Sequence, residues 1–296
     1  LKTWVSEFIL LRLSSDWGTQ VSLFVLILAM YLVTVVGRFL ILLLIRLDSR
    51  LHARMYFFLS VLSFVDLCYA NSFAPQMLAH LCVLQLCASL ALGGSEFFLL
   101  GAVAYDHCVM VCYPLHYTVI MHGGLCLGLA ASCLVAGFMN SLMETIITFR
   151  LLLCHRVINH FAYETLAVLW LVCVDIYFNK VMVVASVFLV IMLPCSLVLF
   201  SYGHIVVAIL RICSTQRCGK ASGTCASHLT VVCMYFGATI FTYLGPWSAF
   251  SVEEEKMVAL FYAVGAPMLN PLIYSLRNKE VMAALSKFLE KFRDKG

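Results

Sequence analysis

Seven stretches of the chain stay apolar long enough to cross a hydrocarbon layer: 21–45, 55–79, 81–105, 125–149, 181–210, 225–243 and 257–274. A spanning helix needs roughly 20 mainly apolar residues, and each stretch is close to that length. After the last one the pattern changes. Val281, Leu285, Phe288, Leu289 and Phe292 recur on one helical face, opposite Lys287, Glu290, Lys291 and Arg293, which predicts an amphipathic helix over 278–293 lying on a membrane surface. The expected fold is an all-α membrane protein, a seven-transmembrane helix bundle with a short amphipathic cytosolic helix after the last span. No linker-like composition and no repeat divides it, so residues 1–296 read as a single domain.

Composition agrees. Apolar residues make up 63% of the chain and charged residues 11%, and the mean hydropathy of +1.00 lies far outside the soluble range. The placement of Lys and Arg then sets a direction, because cytoplasmic loops accumulate positive charge. With the amino terminus outside, Arg46, Arg50, Arg54, Arg211, Arg217, Lys220, Arg277, Lys279, Lys287, Lys291, Arg293 and Lys295 fall on the inner side. Only Lys2, Arg12, Arg150, Arg156, Lys180 and Lys256 fall outside. The expected placement is a multi-pass plasma-membrane protein with an extracellular amino terminus and a cytosolic carboxyl terminus. The net charge of +4 is a topology signal and gives no reason to expect nucleic acid as a partner. The first apolar run is too long for a cleavable signal and is expected to serve as its own insertion signal.

Ionisable residues inside spans are costly and mark function. Asp66, Glu96, Asp106 and Glu144 are the acidic ones. Asp66 and Glu96 fall at mid-span, where two facing carboxylates either share a proton or hold a cation, so a polar site that could take a sodium ion is expected there. Arg38 in the first span needs a counter-charge, and Asp66 is its expected partner. In the run from Pro267 to Val281, Asn270 and Pro271 interrupt an apolar helix; proline removes a backbone donor and builds in a hinge. The histidines are scattered and no His/Cys spacing suits a metal, so neither a catalytic residue nor a metal site is expected.

Several short motifs, in order, carry a resemblance. They are Leu51-His52-Ala-Arg-Met55-Tyr56, Ala104-Tyr105-Asp106, Pro114-Leu115-His116-Tyr117, Ser201-Tyr202, Lys220-Ala221 with Thr224-Cys225-Ala226-Ser227-His228-Leu229, and Pro267-Met-Leu-Asn270-Pro271-Leu-Ile-Tyr274-Ser-Leu-Arg. This series resembles the signature of vertebrate olfactory receptors, which are rhodopsin-like G-protein-coupled receptors. The resemblance implies binding of a small hydrophobic odorant in the outer half of the bundle and signalling through a heterotrimeric stimulatory G protein to cAMP. It makes Asp106, His107, Asn270, Pro271 and Tyr274 the coupling and switch positions. Helical spacing offers two stripes for a ligand cleft: Leu86, Ser89, Leu90, Gly93 and Glu96 or Phe97 on the third span, and Phe236, Thr239, Ile240 and Tyr243 on the sixth. The same stripes would also suit plain bundle core; the resemblance favours the pocket.

The chain departs from the family pattern at several signature positions. Arg38 stands where the family has Asn, Arg54 where it has Pro, and Cys133 where it has Trp. Asp106-His107-Cys108 replaces the family's Asp-Arg-Tyr. Histidine cannot reproduce a permanently charged planar fork. Of the 14 cysteines most fall within spans, where Cys acts as a small apolar residue. The resemblance implies a Cys154–Cys173 disulfide, and it leaves Cys82 unpaired because Tyr163 stands where its partner is expected. A second reading is therefore a degenerate receptor that inserts but folds and couples poorly. A remote third, a transporter or channel, would require paired broken helices in two halves, which the sequence lacks.

Overall fold

A computed structural model describes residues 9–10, 17–48, 51, 54–73, 82–149, 157–158, 177–211, 215–244 and 279–293. Its helices are α1 (Trp17–Leu47), α2 (Arg54–Phe73), α3 (Cys82–Cys112), α4 (Tyr117–Ile120), α5 (Gly123–Phe149), α6 (Tyr177–Arg211), α7 (Thr215–Leu244) and α8 (Lys279–Arg293). The fold is helical apart from one two-residue pairing, in which β1 (Ile9–Leu10) runs parallel to β2 (Val157–Ile158), Ile9 opposite Val157. That pairing ties the segment before the first span to the long segment after the fourth.

Five helices, α1, α2, α3, α5 and α6, are long and apolar enough to cross a membrane, and α7 carries a shorter apolar stretch, His228–Ile240. These six match the first six expected spans. The expected seventh, 257–274, with Asn270, Pro271 and Tyr274, lies outside the described residues, as do Cys154, Cys173 and Tyr163.

Helix ends differ from expectation in one direction. The third span was expected to end at Tyr105, yet α3 runs on to Cys112, and α7 begins at Thr215 rather than Cys225. Apolarity marks only the part of a helix that lies in hydrocarbon, whereas the backbone hydrogen bonds continue into the polar layer. Consequently Asp106, His107 and Cys108 sit within a helix rather than at its end.

Apolar and polar side chains are arranged inside out. Phe24, Leu28, Leu32, Val36 and Phe39 make an exposed stripe along α1, and Leu189, Leu193, Leu199 and Phe200 do so on α6. Arg38, Ser63, Asp66, Glu96, Asp106, Ser141, Glu144 and His228 are all buried. Lipid solvates the first set, and only neighbouring helices can satisfy the second.

α3 is the hub. It packs most extensively on α5, then on α6 and α2, and it also touches α7. Small residues permit the closest of these approaches: Gly94 of α3 faces Gly137 of α5, where a Cβ added at Gly94 would lie 3.6 Å from the Gly137 Cα. Gly101 does the same against Pro194 of α6, its added Cβ standing 3.3 Å from the Pro194 Cβ. Without a hydrophobic drive between helices, such contacts supply much of the packing in a bilayer. At the other end α8 folds back onto α1, and Val281 and Ala284 join Ile41, Leu44, Tyr56 and Leu59 in one cluster. Lys287 and Glu290 face outward, as the amphipathic pattern requires.

Gly137 offers a sharp test. A Cβ there would overlap the Ser95 hydroxyl and lie 2.7 Å from both the Ala91 carbonyl oxygen and the Ser95 nitrogen, and backbone cannot step aside. Gly137→Ala is expected to cost about 1–3 kcal/mol and to lower the thermal midpoint and surface level of the protein. Gly94→Ala, whose methyl meets only ordinary contact, should be tolerated.

Candidate functional site

Polar groups gather at three depths. At mid-membrane, Arg38 of α1 and Asp66 of α2 form an ion pair, both side chains at 0% exposure. The Arg38 Nη1 also points at the Ser63 Oγ, 3.4 Å away. Glu96 of α3 is equally buried, lies within electrostatic reach of Arg38, and accepts a hydrogen bond from the Tyr235 hydroxyl of α7. Four helices therefore meet at one charged cluster. The guanidinium that the sequence assigned to Asp66 is on it, while Tyr235 was not anticipated, since nothing in its spacing sets it apart from core aromatics. Glu144 is satisfied separately: the Asn140 amide and the Ser186 hydroxyl donate to its Oε1 at 2.9 and 2.6 Å, joining α5 to α6.

Toward the outer end, the two expected ligand stripes divide. Ser89, Leu90 and Gly93 are half-buried. The Ser89 Oγ lies 3.2 Å from the Ser72 Oγ, and Gly93 lies against the Tyr69 ring, so this part of α3 looks toward α2. Phe236 of α7 is buried edge-on against Phe97 of α3, with ring centroids 5.2 Å apart. Thr239 is buried and donates to its own helix, at the Tyr235 carbonyl, 2.8 Å. Ile240 is 39% exposed. The side chains of Tyr243 and Cys82 lie outside the described residues. Tyr69 and Ser72 of α2 are the neighbours of this part of α3, and the second span carried no stripe to single them out.

At the carboxyl-terminal end of α3, the Tyr117 hydroxyl of α4 donates to the Asp106 Oδ1 at 2.9 Å. Burial, and after it the charge of Asp106, push the Tyr117 phenol well above its ordinary value, so it keeps the proton it donates. Arg54 lies near Asp106 and donates to the Thr118 carbonyl. His107 is buried with its ring edge-on to His228 of α7, centroids 5.2 Å apart. The Tyr202 hydroxyl of α6 lies 2.9 Å from both the Cys225 carbonyl and the His228 Nδ1. One hydroxyl proton serves one acceptor, so Tyr202 donates to the carbonyl and accepts from His228 Nδ1–H. Helices α3, α6 and α7 are joined here without a permanent charge.

The family model described as olfactory receptor matches residues 27–291. The chain belongs to the olfactory receptor family. Similar proteins include the dog olfactory receptor-like protein OLF3, 56% identical over 97% of this chain and 95% of its own length. Human olfactory receptor 2F1 is 55% identical over 98% of this chain and 96% of its own length. Mouse olfactory receptor 8U3 is 45% identical over 98% and 94%. The receptor is thus a multi-pass, odorant-binding G-protein-coupled receptor and not an enzyme.

The Tyr117–Asp106 bond fixes the short α4 under α3 in this receptor. Tyr117→Phe removes the donor and leaves a buried carboxylate oxygen short of a partner, at a cost of about 1–2 kcal/mol. Thermal unfolding of the purified receptor should show a midpoint lowered by a few degrees. Tyr113→Phe, at an exposed position, should leave it unchanged.

Proposed function

We propose that the receptor binds small, largely hydrophobic odorants between α3 and α7 in the outer half of the bundle. It passes the signal to a stimulatory G protein and so raises cAMP. The carboxyl terminus lies in the cytosol and the amino terminus outside, on the strength of twelve basic residues on one side against six on the other. The observation that carries the binding reading is the Phe97–Phe236 contact. With α3 entering from outside and α7 leaving, that contact separates the outer from the inner half. Ser89, Leu90 and Gly93 lie outward of it on α3, where Ser89 and Gly93 border α2, and Thr239, Ile240 and Tyr243 lie outward of it on α7, so a ligand above the contact would meet all three helices. An apolar cleft with a few hydroxyls suits a small volatile ligand, and an odorant that bears on the two helices biases their separation.

A second reading, a receptor impaired in coupling, is favoured by one specific observation: His107 is buried against His228 where the family's Asp-Arg-Tyr triplet has Arg. An imidazole has neither the reach nor the five donors of a guanidinium. Surface-labelled receptor in cells supplied with a stimulatory G protein separates the readings. Odorant-dependent cAMP supports the first; surface protein without cAMP supports the second. In the second case His107→Arg should raise odorant-dependent cAMP by on the order of tenfold, the scale of one charge-assisted hydrogen bond. No gain at equal surface level would place the defect elsewhere.

A further inference from the structure

We propose that Arg38 is this receptor's own cation for its mid-membrane acidic site, and that its guanidinium on Asp66 takes the place that a sodium ion would otherwise fill. The sequence reading offered two facing carboxylates, Asp66 and Glu96, for a diffusible cation. The residues present do not fit that ion. Asp66 is already ion-paired with Arg38, and neither side chain has any exposed surface. The same guanidinium reaches toward the Ser63 hydroxyl, three residues before Asp66 on α2. Glu96 feels the charge of Arg38 and takes the Tyr235 hydroxyl.

A sodium ion bound to Asp66 would stand beside a buried positive charge. Two like charges in contact distance at the effective dielectric of a protein oppose binding by about a thousandfold. Arginine does not yield by losing its proton, because the guanidinium stays charged at every accessible pH. Nor can it leave. Arg38 is fixed in a helix whose adjacent residue, Phe39, is 61% exposed and faces lipid. A diffusible ion equilibrates with the medium and departs when a site rearranges, whereas a tethered one stays and ties α1 to α2 in every state that keeps the pair. The cation occupancy of this receptor is therefore a property of its sequence and is independent of external sodium.

The test uses the full chain, purified in lipid nanodiscs, with thermal unfolding read in sodium chloride and in potassium chloride at equal ionic strength. The midpoints of the unaltered receptor should coincide; a sodium-specific rise would overturn the proposal. Arg38→Asn removes the tethered charge and frees the two carboxylates, and it should gain a sodium-specific rise of about 2–4 °C. If that variant folds and shows no such rise, Arg38 is not what excludes sodium and the idea fails. Should Arg38→Asn not fold, surface display of a cycle decides the pairing. Arg38→Leu or Asp66→Leu alone leaves a buried charge and should lower surface level several-fold, while the double variant should recover most of the loss. Additive losses would count against the pair.

Discussion

Inside hydrocarbon a polar group has no water to turn to, so every one that this chain buries must be answered by another part of the chain. That constraint explains why the charged residues converge. Arg38, Asp66, Ser63, Glu96 and Tyr235 come from four helices and meet at one depth. Glu144, Asn140 and Ser186 solve the same problem between α5 and α6. Each cluster joins separate helices. The packing of the bundle and the pairing of its charges are therefore one problem.

α3 carries most of that burden, because it is enclosed by α2, α5, α6 and α7. Glycine at Gly94 and Gly101 brings its backbone close to α5 and α6, which leaves no room for voids and little for adjustment. The same helix then presents Glu96 to the mid-membrane cluster, Phe97 to α7, and Asp106 and His107 to the cytosolic end. A ligand that moves α3 relative to α7 acts on all three depths at once.

The spans were legible because length and apolarity are local properties, and Arg38 with Asp66 was legible because a buried charge needs an opposite one within reach. The stripe on α3 was only half legible. Helical spacing groups Ser89, Leu90 and Gly93 with Phe97, yet the structure turns Ser89 and Gly93 toward Ser72 and Tyr69 of α2 and Phe97 toward Phe236 of α7. A helix enclosed on all sides has no single inward face, so periodicity that works for a half-buried helix loses its meaning there. Tyr117, Ser186 and Tyr235 were not foreseen as partners for the same kind of reason: each supplies one hydroxyl to a carboxyl on another helix, and spacing within one helix says nothing about such a meeting. The β1–β2 pairing was illegible too, since two residues hold too little pattern to read.

Two departures from the family pattern then take on a common meaning. Arg38 places a permanent positive charge at mid-span, and His107 stands near the carboxyl-terminal end of α3 where the family pattern has one. The first strengthens the hold between α1 and α2 through an ion pair whose guanidinium stays charged at every accessible pH. The second leaves this end of α3 held to α7 by the ring contact of His107 on His228, which is in turn stacked on Tyr202 of α6. Contacts between aromatic rings are worth about 0.5–1.5 kcal/mol beyond the area they bury, whereas a desolvated ion pair resists separation far more strongly because each charge would be left alone. At mid-helix, Glu96 and Tyr235 link α3 to α7 directly beside Arg38. Separating α3 from α7 would therefore disturb a charged cluster at mid-helix and only ring contacts at His107, so the mid-helix contacts resist it more.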